Sequence, residues 1–211
     1  VETEMLAPAL RKVLENWGAG SRKAPELQSI DASKTTLADS TLHADLVALY
    51  RSPLSSTTNH PMLHIAFDFS LFRSLRSLSK GLFHGNTNAT YPMKAVLLVI
   101  GLMPAFDSQV RCGLQRGGFI GMDKTQYLLP ESALQADGKK IAGLPFLLGE
   151  CWATYAKQFH AGITNSKQGE LITEHGRVFD VLLFRQGNPS NPVIVKYQGT
   201  RNWYDLPRAS L

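Results

Sequence analysis

Three side chains that commonly bind metal ions recur at intervals of four residues: His60, His64 and Asp68. On a single helix this spacing would place all three on one face, and two imidazoles with a carboxylate suit a transition metal. Pro61 instead favours a position for His60 at or before the start of that helix. The alternative interpretation is therefore a local His64–Asp68 pair with His60 in solvent, and a closed metal site would need ligands from elsewhere in the chain.

Four cations lie on or beside the central predicted helices: Arg73, Lys94, Arg111 and Arg116. If the glycine-containing loop over 81–89 met the start of the helix that carries Lys94, free N–H groups and cations would together suit a phosphate. The net charge of +5, from 22 Lys+Arg and 17 Asp+Glu, permits such a partner. The competing interpretation is a set of solvated cations that interact favourably with helix C-termini.

A single carboxylate, Asp107, follows the proline corner at Pro104 and precedes a helical pattern. This position is typical of an N-cap, whose side chain accepts a free N–H group at the start of the helix and contributes about 1 kcal/mol. A catalytic role would require a cleft and a perturbed pKa. The sequence predicts the cap first and leaves the acidic site residue as the alternative.

Helical periodicity dominates the segments that must position these residues. It predicts helices around residues 6–17, 42–50, 62–80, 95–103, 107–116, 146–159 and 170–185. Pro104 is expected to end the helix over 95–103, and Pro145 to occupy the first turn of the helix that follows it. The polar stretch 18–40 reads as a connection, and the apolar run 193–197 as an extended segment lying over the helices.

These elements predict an all-α protein. We expect a single domain over 1–211, an irregular bundle of about six or seven helices with a flexible connection near 18–40 and an irregular, partly extended tail from 188. Leu, Ile, Val and aromatic side chains of the central helices are expected to form the core.

The remaining composition favours a cytoplasmic protein without a membrane partner. The two cysteines, Cys112 and Cys151, are far apart and in neither a redox nor a zinc-finger spacing, which predicts buried free thiols. The longest apolar run is far shorter than a membrane span requires. The hydrolase, zincin, P-loop and dinucleotide-binding motifs do not occur, so we expect no cofactor and assign no enzyme class.

The residues around Lys94 and Asp107 carry a family resemblance. Lys94 in a helix that ends at a proline corner, followed by Pro104-Ala105-Phe106-Asp107 and a helix with Arg111 and Arg116, resembles part of the helix-hairpin-helix DNA glycosylase superfamily and its uncharacterised helical relatives. The segment 177–184 is similar to a late helix of those relatives. The resemblance implies DNA binding, with Asp107 in the place of the catalytic aspartate. The chain departs from the pattern by lacking hairpin glycines before Lys94 and by a shorter separation of Lys94 from Asp107.

Three hypotheses follow from these observations. The first is a nucleic-acid-associated protein that lacks catalytic competence, with Arg73, Lys94, Arg111 and Arg116 as the binding residues. The second is a helical binding or accessory protein without a nucleic-acid role, in which Lys94 and Asp107 only pair and cap. The third is a metal-dependent enzyme that uses the two histidines and Asp68.

Overall fold

The computed structural model describes residues 3–21, 23–52, 61–122, 124, 126–164 and 174–199, without the side chains of 3, 61–64 and 163–164. In these ranges the chain forms eight helices and no β-strand, which confirms the all-α prediction and adds one helix to the expected number. The helices are α1 Thr3–Asn16, α2 Ile30–Leu37, α3 Ser40–Tyr50, α4 Pro61–Leu82, α5 Thr90–Ile100, α6 Ser108–Arg116, α7 Ala136–Thr164 and α8 His175–Gly187.

The additional helix, α2, lies inside the stretch predicted as a flexible connection. The Ser29 hydroxyl accepts the N–H of Ala32 at 3.2 Å and so caps the first turn, and Leu37 is buried at the other end. The helix packs against α1 and α4. Its eight residues carry too few apolar positions to show a helical period, so the prediction of a connection over 30–37 was wrong because tertiary packing stabilises a short capped helix.

The corner between α5 and α6 differs in detail from the sequence expectation. The helix ends at Gly101, which adopts a left-handed φ of 62°, and therefore stops before Pro104 rather than at it. Gly101 is required there on two counts, since a Cβ atom would also lie 2.4 Å from the Cβ of Glu174. The N-cap prediction for Asp107 is confirmed, because its side chain accepts the N–H of Val110 at 2.9 Å.

The long helix α7 begins nine residues before Pro145, which the sequence had placed in the first turn. Its start is fixed by close packing, since a Cβ on Gly138 would lie 1.9 Å from the carbonyl oxygen of Ser132. Pro145 thus lies inside the helix, so the tight packing of the preceding turns outweighs the usual preference of proline for a helix start.

Helices α6 and α8 form the most intimate helix pair of the described chain. A Cβ on Gly113 would lie 2.1 Å from the carbonyl oxygen of Leu183, and a Cβ on Gly187 would lie 2.1 Å from that of Gln109. The backbones of the two helices therefore touch without intervening side chains. This contact fixes α8 against the corner that carries Asp107.

The core is built from the inner faces of all eight helices, as the sequence predicted for the central ones. Fully buried members include Leu14, Leu42, Leu71, Leu75, Val96, Phe106, Val110, Leu144, Leu148, Phe179 and Leu183. After α8 the chain runs extended over the helices, and Val195 of this segment is buried completely. Of the two free cysteines, Cys151 is buried as predicted, whereas Cys112 is exposed on the outer face of α6.

None of the helices in the described ranges combines the length and apolar character needed to cross a membrane.

Candidate functional site

The first of the predicted phosphate-binding cations, Arg73, is held by a carboxylate on the neighbouring helix α3. Its guanidinium donates to both oxygens of Asp45, at 2.5 and 2.6 Å, and lies 4.6 Å over the ring of Phe69. The hydrogen bond to Asp45 raises the pKa of Arg73. Because the Asp45 side chain is itself buried, this bidentate pair joins α3 to α4.

Arg111 and Arg116, both on α6, also bond within the protein. Arg111 is buried, donates to the carbonyl oxygen of Phe106 and lies about 5.5 Å from the ring of that residue. Burial lowers the pKa of Arg111. Arg116 donates to the carbonyl oxygens of Gln186, Asn188 and Asn191 and so binds the C-terminal end of α8. Each of the two guanidiniums therefore satisfies backbone carbonyls of this chain.

The structure brings together two of the residues singled out in the sequence, Lys94 and Asp107. The Lys94 ammonium lies 4.0 Å from a carboxylate oxygen of Asp107 and donates to the carbonyl oxygen of Trp17 at 3.1 Å. The rings of Trp17 and Tyr91 approach the same ammonium at 5.6 and 5.2 Å. Only 7% of Lys94 is exposed, and this burial lowers its pKa against the opposing effect of Asp107 and Asp180.

Asp180 of α8 completes this group of charges. One of its oxygens accepts the N–H of Ala105 in the proline corner at 2.8 Å. The pKa of Asp180 is raised to about 6, mainly by burial and in smaller part by the nearby charge of Asp107, while the Ala105 N–H, Arg177 and Lys94 act in the opposite direction. We call Lys94, Asp107, Arg177 and Asp180 the Lys94 cluster. Perturbed pKa values of both signs in one place are typical of functional sites.

The sequence indicated only half of this cluster. Lys94 and Asp107 stand on either side of one corner, whereas Arg177 and Asp180 come from a helix some seventy residues further along the chain. The spacing of Arg177 and Asp180, one turn apart on α8, is a weak signal because it is also common on solvated helix faces. The glycine contacts between α6 and α8 and the hydrogen bond from the N–H of Ala105 to Asp180 bring the two halves together.

A pocket of about 190 Å³ opens beside the cluster, where α5 ends and α8 begins. Its lining comprises Tyr50, the last turn of α5 over 97–101, Glu174 and Arg177. Within the described chain neither Glu174 nor Arg177 forms an ion pair with another side chain, although the Arg177 guanidinium lies 5.8 Å over the ring of Trp17. Charges of both signs therefore face one small space.

The predicted metal ligands lie largely outside the part of the chain that can be described. His60 and the side chain of His64 are among the residues left out, while Asp68 is buried on α4. Among the described side chains, no group of three or more metal-binding residues lies together. The metal hypothesis thus stays a prediction from the spacing alone.

Two other histidines meet at Trp152 of α7. The ring of His175 stacks on Trp152 at 3.6 Å between centroids, and the ring of His160 meets Trp152 edge-on at 5.4 Å. Burial lowers the pKa of His175, and the neighbouring His160 lowers it further. This arrangement favours the neutral form of His175 at the start of α8, where a positive charge would also oppose the helix dipole.

Comparisons with models of protein families, with curated protein sequences and with solved structures found no match to this chain.

Proposed function

We propose that this chain is a helical binding protein, and that its ligand is a small zwitterion of amino-acid size bound in the pocket between α5 and α8. The observation that carries the proposal is the pair Glu174 and Arg177, which face the same pocket without an ion-pair partner in the described chain. A guanidinium suits a carboxylate, and a glutamate suits an ammonium group.

The other walls of the pocket support the same ligand class. The last turn of α5 supplies the half-buried side chains of Leu98 and Ile100 to a lining that is otherwise mostly polar, and the C-terminal end of a helix favours a cation. The volume of about 190 Å³ lies below the range of about 300–1,000 Å³ that is typical for drug-sized ligands. A ligand with two opposite charges and a short apolar side chain fits these limits.

The four cations named as phosphate ligands support a role that does not depend on nucleic acid. Arg73 pairs with Asp45, Arg111 and Arg116 bind carbonyl oxygens, and Lys94 lies buried beside Asp107. These intramolecular partners already occupy part of the donor capacity that a phosphate would use. Arg177 differs from all four because it lines the open pocket, although its guanidinium also lies over the ring of Trp17.

The proposal is tested by calorimetric titration of the protein with leucine, with its amine analogue isoamylamine and with its acid analogue 4-methylpentanoate. We expect leucine to bind and each analogue to bind at least about tenfold more weakly, since each leaves one pocket charge unpaired. Arg177→Met should abolish the preference for a carboxylate. Arg185→Met, an exposed cation on the same helix, is the matched control and should leave binding unchanged.

Equal binding of leucine and both analogues, or unchanged binding by Arg177→Met, would contradict the zwitterion proposal. Absence of heat with leucine and with smaller or larger apolar amino acids would reject the pocket as the ligand site. Circular dichroism of each variant verifies that its helices are intact.

Nucleic-acid association is the second candidate, and one observation favours it. Lys94 and Asp107, the two residues on which the resemblance to helix-hairpin-helix glycosylases rests, lie 4.0 Å apart beside a carboxylate with a raised pKa. Fluorescence anisotropy with labelled duplex and single-stranded oligonucleotides tests this candidate directly. Binding that weakens steeply between 50 and 200 mM salt would support it, on the scale of about 10³-fold expected for several phosphate contacts. No binding at the lower salt concentration would eliminate it.

A further inference from the structure

The chain that follows α8 is bound in a groove by its backbone as well as its side chains. We call residues 188–199 the tail. The side-chain amide of Gln186 accepts the N–H groups of Ile194 and Val195 at 2.8 and 2.7 Å and donates to the carbonyl oxygen of Val195 at 2.9 Å. Farther along, the N–H of Tyr197 donates to the carbonyl oxygen of Gly117 at 2.8 Å. The groove thus forms hydrogen bonds with the N–H and C=O groups of an extended segment, as a neighbouring β-strand does.

Side chains of the tail alternate between the groove and solvent. Val195 is fully buried, Tyr197 packs 5.5 Å from the ring of Phe119 and donates to Glu150 at 2.9 Å, whereas Ile194 and Lys196 point outward. This period of two is that of an extended strand. The groove therefore recognises a small branched residue followed two positions later by an aromatic residue with a hydroxyl group.

The floor of the groove also fits the tail closely. A Cβ on Gly117 would lie 2.4 Å from the carbonyl oxygen of Val195, so this glycine lets the tail backbone approach α6. The thiol of Cys151 on α7 donates to the carbonyl oxygen of Lys196 at 3.6 Å. Three helices thus contribute to one binding surface.

The connection between α8 and the bound residues is short and stiff. It contains Pro189 and Pro192, and Arg116 holds it through the carbonyl oxygens of Asn188 and Asn191. Removal of that clasp would leave the bound residues attached through a proline-containing hinge. Exchange of an identical segment between two copies through such a hinge has a low energetic cost.

We infer that the groove between α6, α7 and α8 is a binding site for an extended peptide with the pattern of residues 193–197, occupied here by the chain's own tail and able to accept the tail of a second copy. This inference is independent of the pocket at the other end of α8. It depends on the three hydrogen bonds between Gln186 and the tail and on the alternation of Val195 and Tyr197.

The test uses the full chain with Val195→Asp, whose own tail cannot enter the apolar position, and a fluorescein-labelled peptide with the sequence of residues 192–199. We expect this variant to bind the peptide at least about tenfold more tightly than the wild-type chain does, since the wild-type tail competes at high effective concentration. A peptide in which the positions of Val195 and Tyr197 are exchanged serves as the control and should not bind. Adding Gln186→Leu to the variant should abolish binding.

Equal binding of the exchanged peptide, or no binding by a variant with intact circular dichroism, would overturn the inference. If Val195→Asp does not fold, hydrogen exchange of the wild-type chain decides. Excess peptide should then remove the protection of the Ile194, Val195 and Tyr197 amides and leave that of α6 and α8 unchanged. If the amides of the tail lose their protection only when those of α6 and α8 also lose it, the tail does not detach separately and the inference is wrong.

Discussion

Helix α8 carries two polar side chains that face the rest of the protein, Asp180 near its middle and Gln186 near its C-terminus, and their surroundings differ. Near its C-terminus, Gln186 is neutral, completely buried and bonded to four backbone groups. In its first half, Asp180 is a carboxylate with one backbone hydrogen bond, placed among other charges and with a raised pKa. A satisfied neutral amide stabilises and specifies structure, whereas a poorly compensated charge costs stability and is available for binding.

The largest expected effect on stability comes from substitution of Gln186, whose hydrogen bonds are all formed. Gln186→Leu removes four hydrogen bonds, among them those to the N–H groups of Ile194 and Val195 and to the carbonyl oxygen of Val195, whereas the carbonyl oxygen of Gly113 keeps its bond from the N–H of Gly117. We expect the free energy of unfolding to fall by about 3–5 kcal/mol, from about 1–3 kcal/mol for each buried group left unsatisfied. Urea denaturation measures this change.

The control for that prediction is Gln115→Leu, an exposed glutamine on α6, which should alter stability by less than about 0.5 kcal/mol. The loss in Gln186→Leu should be the same at pH 5 and pH 7.5, because an amide does not titrate. A loss below 1 kcal/mol would show that the tail contributes little to the fold.

A substitution at Asp180 is expected to increase the free energy of unfolding at neutral pH, whereas the substitution at Gln186 decreases it. Its pKa is raised from 3.8 to about 6, so the folded chain binds a proton more tightly than the unfolded chain, and stability declines as the pH rises from about 4 to about 6. Asp180→Asn keeps the acceptor for the Ala105 N–H and cannot ionise. We expect it to be more stable than the wild-type chain at pH 7.5 by about 1–3 kcal/mol, and equal to it at pH 4.

Urea denaturation of both proteins at the two pH values measures this difference. If the variant is less stable than the wild-type chain at pH 7.5, the negative charge of Asp180 stabilises the fold by compensating the charge of Lys94. Leucine titration of the same variant then separates a structural from a binding role for the carboxylate.

A smaller effect is expected at the corner. Asp107→Ala removes the acceptor for the N–H of Val110 and should lower the free energy of unfolding by about 1 kcal/mol. Asp107→Asn retains a cap and is the matched variant. Thermal denaturation that ranks alanine no lower than asparagine would reject the cap as the main role of Asp107.

The corner around Asp107 also illustrates which features of the fold the sequence alone could predict. The N-cap was predictable because capping is local chemistry within a few residues, and the helices with a clear period were predictable for the same reason. The helix α2 was missed because packing against α1 and α4 stabilises it. The early start of α7 was missed because it depends on contact between Gly138 and Ser132.

The candidate site was predictable only where its residues share one corner. Lys94 and Asp107 were found, but Asp180 and Glu174 reach the site through the contact of α6 with α8, which leaves no period in the sequence. The prediction of nucleic-acid-binding cations depended on residue type alone and therefore could not include their partners in the fold. Residue type reveals that Arg111 and Arg116 are cations, but not that carbonyl oxygens of this chain bind them.

The smallest effect concerns the two thiols. Cys151 lies beneath the tail, and burial raises its pKa to about 12, whereas Cys112 is exposed. Burial therefore keeps Cys151 in the thiol form at pH 8, and the thiolate is the reactive form. We expect Ellman's reagent to label one thiol per folded chain rapidly and the second only in denaturant. Rapid labelling of both in the folded chain would show that the tail opens often.

The glycine contacts between α6 and α8 tie the two ends together. A single methyl group on Gly113 would lie 2.1 Å from the carbonyl oxygen of Leu183, so the two helices could not keep their present separation at this point. Helix α8 contributes residues to both the pocket and the peptide groove, so a shift of this helix would alter both. Any variation tolerated by the protein must therefore occur around this seam rather than in it.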